Sequence, residues 1–193
     1  HYTLGVIHVP INTRYGHREV AHILRDCAAA ALVFDAHLGV RDMLTQMDAE
    51  LVPPRLVVRG DEAQSGERAL TTLLEGPEED DGERSWAWPV ADEDPALMIY
   101  TSGTTGLSKG VVLSHRAIVA NIDALTRLWR WSERDHLILA LPLFHVHGLC
   151  IGIHGVLLRG CQATIQPRFD ARRVIQAVAD GGSIFMGVPT MYA

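Results

Sequence analysis

A run of hydroxyl residues, glycines and one lysine between positions 101 and 110 contains the residue types that hold phosphate groups. It reads Thr101-Ser102-Gly103-Thr104-Thr105-Gly106-Leu107-Ser108-Lys109-Gly110. The glycines let the backbone approach an anion closely, and the hydroxyls add hydrogen-bond donors. Lys109 supplies a full positive charge. The run therefore predicts a loop that binds a polyphosphate.

A short apolar run from Ala96 to Tyr100 precedes this loop and predicts a buried strand. The loop would then lie at the carboxyl end of a strand, where open α/β sheets bind their ligands. Two commoner nucleotide motifs are absent. A P-loop needs glycine before its lysine and serine or threonine after it, whereas Ser108 and Gly110 occupy those positions, and there is no G-x-G-x-x-G.

A second segment, Pro142-Leu143-Phe144-His145-Val146-His147-Gly148-Leu149, carries two imidazole groups. Together with the loop and the following Leu113-Ser114-His115-Arg116, it resembles the signature of the adenylate-forming superfamily, which includes acyl-CoA synthetases, luciferases and peptide-synthetase adenylation domains. The segments Gly5–Asn12 and Met186–Thr190 also fit, so the resemblance runs nearly end to end. Ser108 departs from the proline of many members, at a position that only shapes the turn.

The resemblance implies roles for the residues of both segments. It makes Thr101 to Lys109 the phosphate loop for ATP, with Thr104 and Thr105 as the leading hydroxyl contacts and Lys109 as a catalytic charge on the pyrophosphate. It places the catalytic His145 between the acyl pocket and the α-phosphate. The other residues that it assigns to the acyl pocket are His147, Gly148, Met186 and Gly187.

Activation of a carboxylate by ATP needs a phosphate cradle, a carboxylate pocket and a cation that neutralises developing charge. The resemblance implies ATP, Mg²⁺ and coenzyme A as cofactor and co-substrates. The family's magnesium-binding glutamate, its ribose-binding aspartate and the lysine of its small carboxyl-terminal domain are expected beyond Ala193. We therefore expect residues 1–193 to be a portion of the large amino-terminal domain that does not turn over alone.

Within the family, the His145 segment and the following glycines are most similar to malonyl-CoA synthetases, which favours malonate or methylmalonate. The distal carboxylate of such an acid suits a guanidinium, and Arg173 is the predicted partner. Solvated helix arginines are the open alternative for Arg173 and its neighbours Arg168 and Arg172. Other readings stay open too: a medium-chain or aryl acid, a carrier protein as acceptor, or a nucleotide-binding module without catalysis.

The composition of the chain limits the classes of protein to which it can belong. The 193 residues are enough for one domain with a core, and 48% hydrophobic with 21% charged residues is ordinary for a globular chain. Nine acids and one base lie between Glu75 and Asp94, which predicts an exposed connection over about 75–95, anchored by Trp86 and Trp88. The remaining surface is nearly neutral and does not favour nucleic acid.

The absence of a long apolar stretch predicts no membrane segment. Free thiols are expected at Cys27, Cys150 and Cys161, together with a cytoplasmic location.

Short apolar runs alternate with helical patterns along the chain. Strands are predicted at 7–11, 31–34, 56–58, 96–100, 137–141, 163–165 and 183–186. Helices are predicted at 20–27, 38–47, 148–158 and 173–179, and after Ser114 with a face formed by Ile118, Ile122, Leu125 and Trp129. This alternation predicts an α/β fold of βαβ layers with a parallel sheet.

Overall fold

The computed structural model describes residues 5–60, 63–75, 89–101 and 107–193. Its backbone contacts divide the chain into two compact units. One contains residues 1–10, 89–99 and 112–193, and the other contains residues 11–88 and 100–111. Most of the predicted acidic connection, with Trp86 and Trp88, lies outside the described residues.

The unit of residues 11–88 and 100–111 contains a parallel sheet of three strands in the order β1-β2-β3. Its strands and helices are α1 (His17–Cys27), β1 (Leu32–Asp35), α2 (Val40–Leu44), β2 (Leu56–Arg59), β3 (Glu67–Ala69) and α3 (Leu70–Glu75), with 3₁₀ turns at Ala36–Leu38 and Ala49–Leu51. Leu32 pairs with Leu56 and Leu56 with Glu67. Val58 of the central strand is fully buried.

Helix α1 begins where the Glu19 carboxylate accepts a hydrogen bond of 3.1 Å from the backbone N–H of Gly16. This contact satisfies a donor that a helix start leaves without a partner inside the helix. Val20, Ile23 and Leu24 are its buried residues, and their spacing of three and four positions is that of one helix face. The sequence pattern therefore predicted this helix correctly.

The larger unit carries β4 (Pro95–Thr101) and β5 (Lys109–Ser114), which pair with each other and continue into the other unit. The elements that follow are α4 (His115–Leu128), β6 (His136–Leu139), a π-helical segment (His147–His154), α5 (Gly155–Arg159), β7 (Gln162–Ile165), α6 (Ala171–Ala179), β8 (Ile184–Met186) and a 3₁₀ turn (Pro189–Met191). Strand β6 lies between β7 and β8 and is parallel to both.

Two apolar clusters form the core of this larger unit. The first joins β4, α4 and the π-helical segment through Ala96, Leu97, Ile99, Ile118, Ile122, Leu149 and Cys150. The second surrounds β6 and consists of Trp131, Leu137, Leu139, Leu141 and Met186. Strand β6 is buried because β7 and β8 pair with its two edges and because α6 and the π-helical segment contact it.

The α/β class and the parallel pairing are confirmed, but several element predictions need correction. The strand predicted at 7–11 is reduced to one bridge between His8 and Leu97. The helix predicted at 38–47 shortens to Val40–Leu44, and it starts after Gly39, which adopts a left-handed backbone with φ of 64°. Trp129 is exposed beyond the end of α4, and Trp131 is buried instead. Strands β3 and β5 were not predicted.

Candidate functional site

The phosphate-loop motif begins where β4 ends. Thr101 is the last residue of β4, Ser102–Gly106 lie outside the described residues, and β5 begins at Lys109. The prediction that the loop follows the carboxyl end of a strand is therefore confirmed. Thr101, Leu107 and Lys109 are exposed. Lys109 is also the sole lysine among the 193 residues, so its ammonium group has no lysine in this chain that could replace it.

A cavity of about 500 Å³ lies beside the described end of this motif. The residues that line it are His22, Asp26, Leu107, Ser108, Lys109 and Gly110. The cavity thus combines the positive charge of Lys109 with two polar side chains of α1. Sequence reasoning missed His22 and Asp26, although their spacing of four positions on a helix places both side chains on one face.

Short hydrogen bonds join these α1 residues to Ser108 inside the motif and to Tyr100 directly before it. His22 Nε2 lies 2.7 Å from the carbonyl oxygen of Ser108, and the Tyr100 hydroxyl donates to Asp26 Oδ2 at 2.7 Å. The rings of His22 and Tyr100 meet edge to face, with centroids 6.1 Å apart. Burial, and secondly the bond to Asp26, raises the pKa of Tyr100, so the phenol stays protonated and keeps donating.

Three of the other predicted residues lie in segments that follow β6 and its two neighbouring strands. Leu139, the last residue of β6, pairs with Ile165 at the end of β7 and with Met186 at the end of β8. Because the three strands are parallel and end level, the segments that follow them leave from the same sheet edge. His145 follows β6, Arg173 follows β7, and Gly187 follows β8. Ligands of open α/β sheets bind at such an edge.

His145 lies on a turn whose geometry is held by its backbone. Its N–H donates to the carbonyl of Pro142 at 3.3 Å, and its carbonyl accepts from Leu149 N–H at 2.9 Å. The imidazole is exposed and packs against the Phe144 ring with centroids 4.5 Å apart. The exposed ring is therefore available to a ligand, while the turn that carries it is fixed.

The π-helical segment begins at His147, which is half-buried. The sequence predicted an ordinary helix at 148–158, whereas the observed helix is π-helical over His147–His154 and α-helical over Gly155–Arg159. In a π-helix the hydrogen bonds join residues five positions apart instead of four. Such turns are rare in proteins, and many of those that occur lie at functional sites.

Gly148 is buried and permits a close contact between this helix and the preceding turn. A Cβ atom there would lie 2.5 Å from the carbonyl oxygen of Pro142 and 3.1 Å from that of Leu141. No side chain fits without a backbone movement. Gly148 therefore brings the helix and the His145 turn together, whatever contact it makes with a ligand.

The other residues predicted to bind substrate lie in different surroundings. Arg173 is exposed in the first turn of α6, and its backbone N–H donates to Asp170 Oδ1 at 3.1 Å. Arg172 in the same turn and Arg168 before the helix are exposed as well. Met186 is buried in the core cluster around β6. Gly187 lies against the rings of Phe185 and Tyr192, which a Cβ atom would approach to 3.1 Å. Their contacts with a substrate stay predictions.

Within the described ranges, no group of three His, Cys, Asp or Glu side chains is placed to hold a metal ion. All three cysteines are free, as expected. None of the described helices is long and apolar enough to cross a membrane.

Comparison with known proteins gives a consistent result. A family model described as AMP-binding enzyme matches residues 2–193. The mitochondrial malonate–CoA ligase of Xenopus laevis is 30% identical over 98% of this chain and 32% of its own length. A long-chain-fatty-acid–CoA ligase of Thermus thermophilus is 31% identical over 98% of the chain and 34% of its own length.

Among solved structures, a malonyl-CoA ligase in a product complex with methylmalonyl-CoA and AMP superposes with a TM-score of 0.71. It is 36% identical, and the match covers 97% of this chain and 35% of that one. The chain thus spans about a third of the length of the proteins that it matches.

Proposed function

The chain belongs to the AMP-binding enzyme family, and we propose that the full-length protein joins a small dicarboxylic acid, malonate or methylmalonate, to coenzyme A with ATP. The observation that carries this proposal is the similarity over nearly the whole chain to a malonate–CoA ligase and to a malonyl-CoA ligase of known structure. The placement of His145, Arg173 and Gly187 after level strand ends supports it.

The proposed reaction has two steps. A carboxylate oxygen of the acid attacks the α-phosphorus of ATP, and the bond between the α-phosphorus and the oxygen that bridges it to the β-phosphate breaks. Pyrophosphate departs, and the product is an acyl-adenylate. The thiol sulfur of coenzyme A then attacks the acyl carbon, AMP leaves with the bonding electron pair, and the thiol proton passes to solvent. Such transfers are accelerated mainly by positioning of the two reactants and by neutralisation of the charge that develops in the transition state.

In this proposal Lys109 neutralises charge on the departing pyrophosphate, because it is an exposed cation at the described end of the phosphate motif. The exposed imidazole of His145 lies beside the reacting carboxylate and the α-phosphate. Arg173 pairs with the distal carboxylate, for which an exposed guanidinium suits a bidentate contact. Mg²⁺ would accompany ATP and neutralise phosphate charge.

A fatty acid is the second candidate substrate, because the ligase of Thermus thermophilus, at 31% identity, is as similar to this chain as the malonate–CoA ligase of Xenopus laevis, at 30%. A long-chain acid has no distal carboxylate. It therefore gives Arg173 no partner, and this difference separates the two candidates.

The deciding experiment is ATP–pyrophosphate exchange by the full-length protein with malonate, methylmalonate, acetate, octanoate, palmitate and a cinnamate. We expect exchange with the two dicarboxylates, and thioester formation when free coenzyme A is added. Exchange with palmitate alone would favour the second candidate, and exchange without a thioester would favour a carrier protein as acceptor. Tight ATP binding without any exchange would leave a non-catalytic module.

Arg173→Ala tests the distal contact, and Arg172→Ala is the matched control because it removes an exposed arginine from the same helix turn. We expect the first change to raise the KM for malonate roughly tenfold or more, as for a lost charged hydrogen bond, and the second to leave it unchanged. Equal effects of both changes would remove Arg173 from the acyl pocket.

A cytoplasmic location is part of the proposal, although the Xenopus laevis relative is named as mitochondrial. Fractionation of the source cells with antibodies to the full-length protein would test it.

A further inference from the structure

Two side chains of α1 contact the phosphate motif near its end and the residue that precedes it. His22 reaches the carbonyl of Ser108, immediately before β5, and Asp26 reaches the hydroxyl of Tyr100, near the end of β4. Both distances are 2.7 Å, and the two contacts are four positions apart on one helix face. One helix thus holds Tyr100, directly before the motif, and Ser108, directly before Lys109.

The contact of His22 fixes a peptide group beside Lys109. A carbonyl oxygen only accepts, so His22 Nε2 carries a proton and donates, in the neutral ring or in the imidazolium alike. The Ser108 carbonyl and the Lys109 N–H belong to one planar peptide unit. Holding that carbonyl therefore sets the direction of the backbone from which the Lys109 side chain departs.

The contact of Asp26 fixes the other side. Tyr100 is only 8% exposed, and its ring packs edge to face on His22. Its hydroxyl donates to the exposed Asp26 carboxylate, which sets the position of the residue directly before Thr101. Thr101 is the first residue of the predicted phosphate contacts.

We propose that His22 and Asp26 are positioning residues for ATP, which hold Ser108 and Tyr100 so that Lys109 and Thr101 meet the phosphates in a preorganised geometry. This inference rests on the proposed function for the identity of the ligand. Neither residue needs to touch ATP. Their effect is expected on the affinity for ATP and not on the affinity for the acid.

Four variants of the full-length protein test the inference. His22→Phe keeps a ring against Tyr100 but loses the donor, and His22→Gln keeps an N–H donor. Tyr100→Phe removes the hydroxyl that Asp26 accepts from. His17→Phe is the control, because it makes the same exchange at the start of the same helix.

The measurements are the Kd for ATP by calorimetry without acid, the KM for ATP and for malonate in exchange, and the melting temperature. His22→Phe and Tyr100→Phe should each weaken ATP binding roughly three- to tenfold, the range of one lost hydrogen bond. His22→Gln should restore binding to within about twofold of the original protein. The KM for malonate should stay the same in all these variants, and His17→Phe should bind ATP as tightly as the original protein.

Unchanged ATP binding in His22→Phe would overturn the inference. So would a His22→Gln variant as weak as His22→Phe with a similar loss of melting temperature, since the role would then be structural only. If the original protein binds ATP but supports no exchange with any acid, the proposed function fails, and the Kd series still decides the role of His22. If His22→Phe does not fold, the comparison of His22→Gln with Tyr100→Phe decides it.

Discussion

At the scale of single residues, the two proposed catalytic groups, Lys109 and His145, are exposed side chains on backbone that hydrogen bonds constrain. Lys109 begins a strand, His145 lies on a turn closed by hydrogen bonds at both its N–H and its carbonyl, and Gly148 has no room for a side chain. Reactive groups that protrude from fixed backbone lose little freedom when a ligand binds. Substitution of Lys109 tests the contribution of its charge, and substitution of Gly148 tests how closely the backbone around it packs.

Replacement of Lys109 by methionine should raise the KM for ATP roughly 10- to 100-fold, because a charge-assisted contact with phosphate is lost. Lys109→Arg keeps the charge and should lose less. Exchange kinetics of the full-length protein measure both. As an independent readout, bound ATP should protect Lys109 from an amine-reactive reagent, with modification followed by mass spectrometry. Equal modification with and without ATP would contradict a phosphate contact.

Gly148→Ala should reduce the free energy of unfolding by about 1–3 kcal/mol, the usual cost of overpacking, and should lower exchange activity by moving the His145 turn. The reason is the distance of 2.5 Å from the new Cβ to the backbone oxygen of Pro142. Urea unfolding and exchange kinetics measure the two effects.

Gly152→Ala is the matched control in the same helical segment. There the tight contacts of the new Cβ would be with the ends of the Leu139 side chain, at 3.0 and 3.1 Å, while the nearest backbone atom, the His147 carbonyl oxygen, would lie at an ordinary 3.6 Å. A side chain can move more easily than backbone. We therefore expect the smaller effect from Gly152→Ala. A larger one would mean that Leu139 is held more rigidly than Pro142.

At the scale of elements, helices α4 and α5 are joined by a polar cluster within the larger unit. Arg159 at the end of α5 donates through Nε to Thr126 Oγ1 at 2.8 Å and through Nη2 to Asp123 Oδ1 at 2.8 Å. Thr126 is 1% exposed, so its hydroxyl depends on protein partners. Arg159 thus has a structural role in this fold, which the sequence alone did not reveal.

Arg159→Met should destabilise the protein by about 1–3 kcal/mol, since a buried hydroxyl loses its charged donor. Arg127→Met is a close control because Arg127 pairs with the same aspartate, Asp123, at 2.9 Å but is 77% exposed. Exposed ion pairs contribute little, so this second change should leave urea unfolding unaltered. Similar losses from both changes would assign the stability to Asp123 and not to the buried Thr126.

At the scale of the whole molecule, stability should fall as the pH drops below neutrality. Burial, and secondly the neighbouring charge of His154, lowers the pKa of His8, and burial lowers the pKa of His154. The unfolded chain then binds protons near the ordinary histidine pKa of about 6.5 while the folded chain does not. The free energy of unfolding is therefore highest above the ordinary histidine pKa of about 6.5 and declines as the pH falls below it.

His154→Gln should flatten this decline between about pH 7.5 and 5.5, a window in which ordinary carboxylates do not titrate. Unfolding by urea at several pH values measures the slope for the original and variant proteins. An unchanged slope in His154→Gln would show that its burial has no part in acid destabilisation.

The sequence by itself determined the local features of this protein. Apolar periodicity predicted α1, α4, α6 and the buried β4 and β6, because one-sided burial of a helix or strand imposes its period on the chain. Residue types in order predicted the phosphate motif around Lys109, and the resemblance to the adenylate-forming superfamily gave His145 its predicted role. Both motifs are continuous in sequence, so their chemistry could be predicted without distant contacts.

Only the tertiary structure decided which distant residues meet. His22 and Ser108 are separated by 86 positions, and Tyr100 and Asp26 by 74, so no local pattern signals these contacts. The level ends of β6, β7 and β8 follow from strand register. The lack of space for a side chain at Gly148 follows from the close approach of the Pro142 carbonyl oxygen. Contacts of this kind depend on the packing of whole elements, which local propensity does not contain.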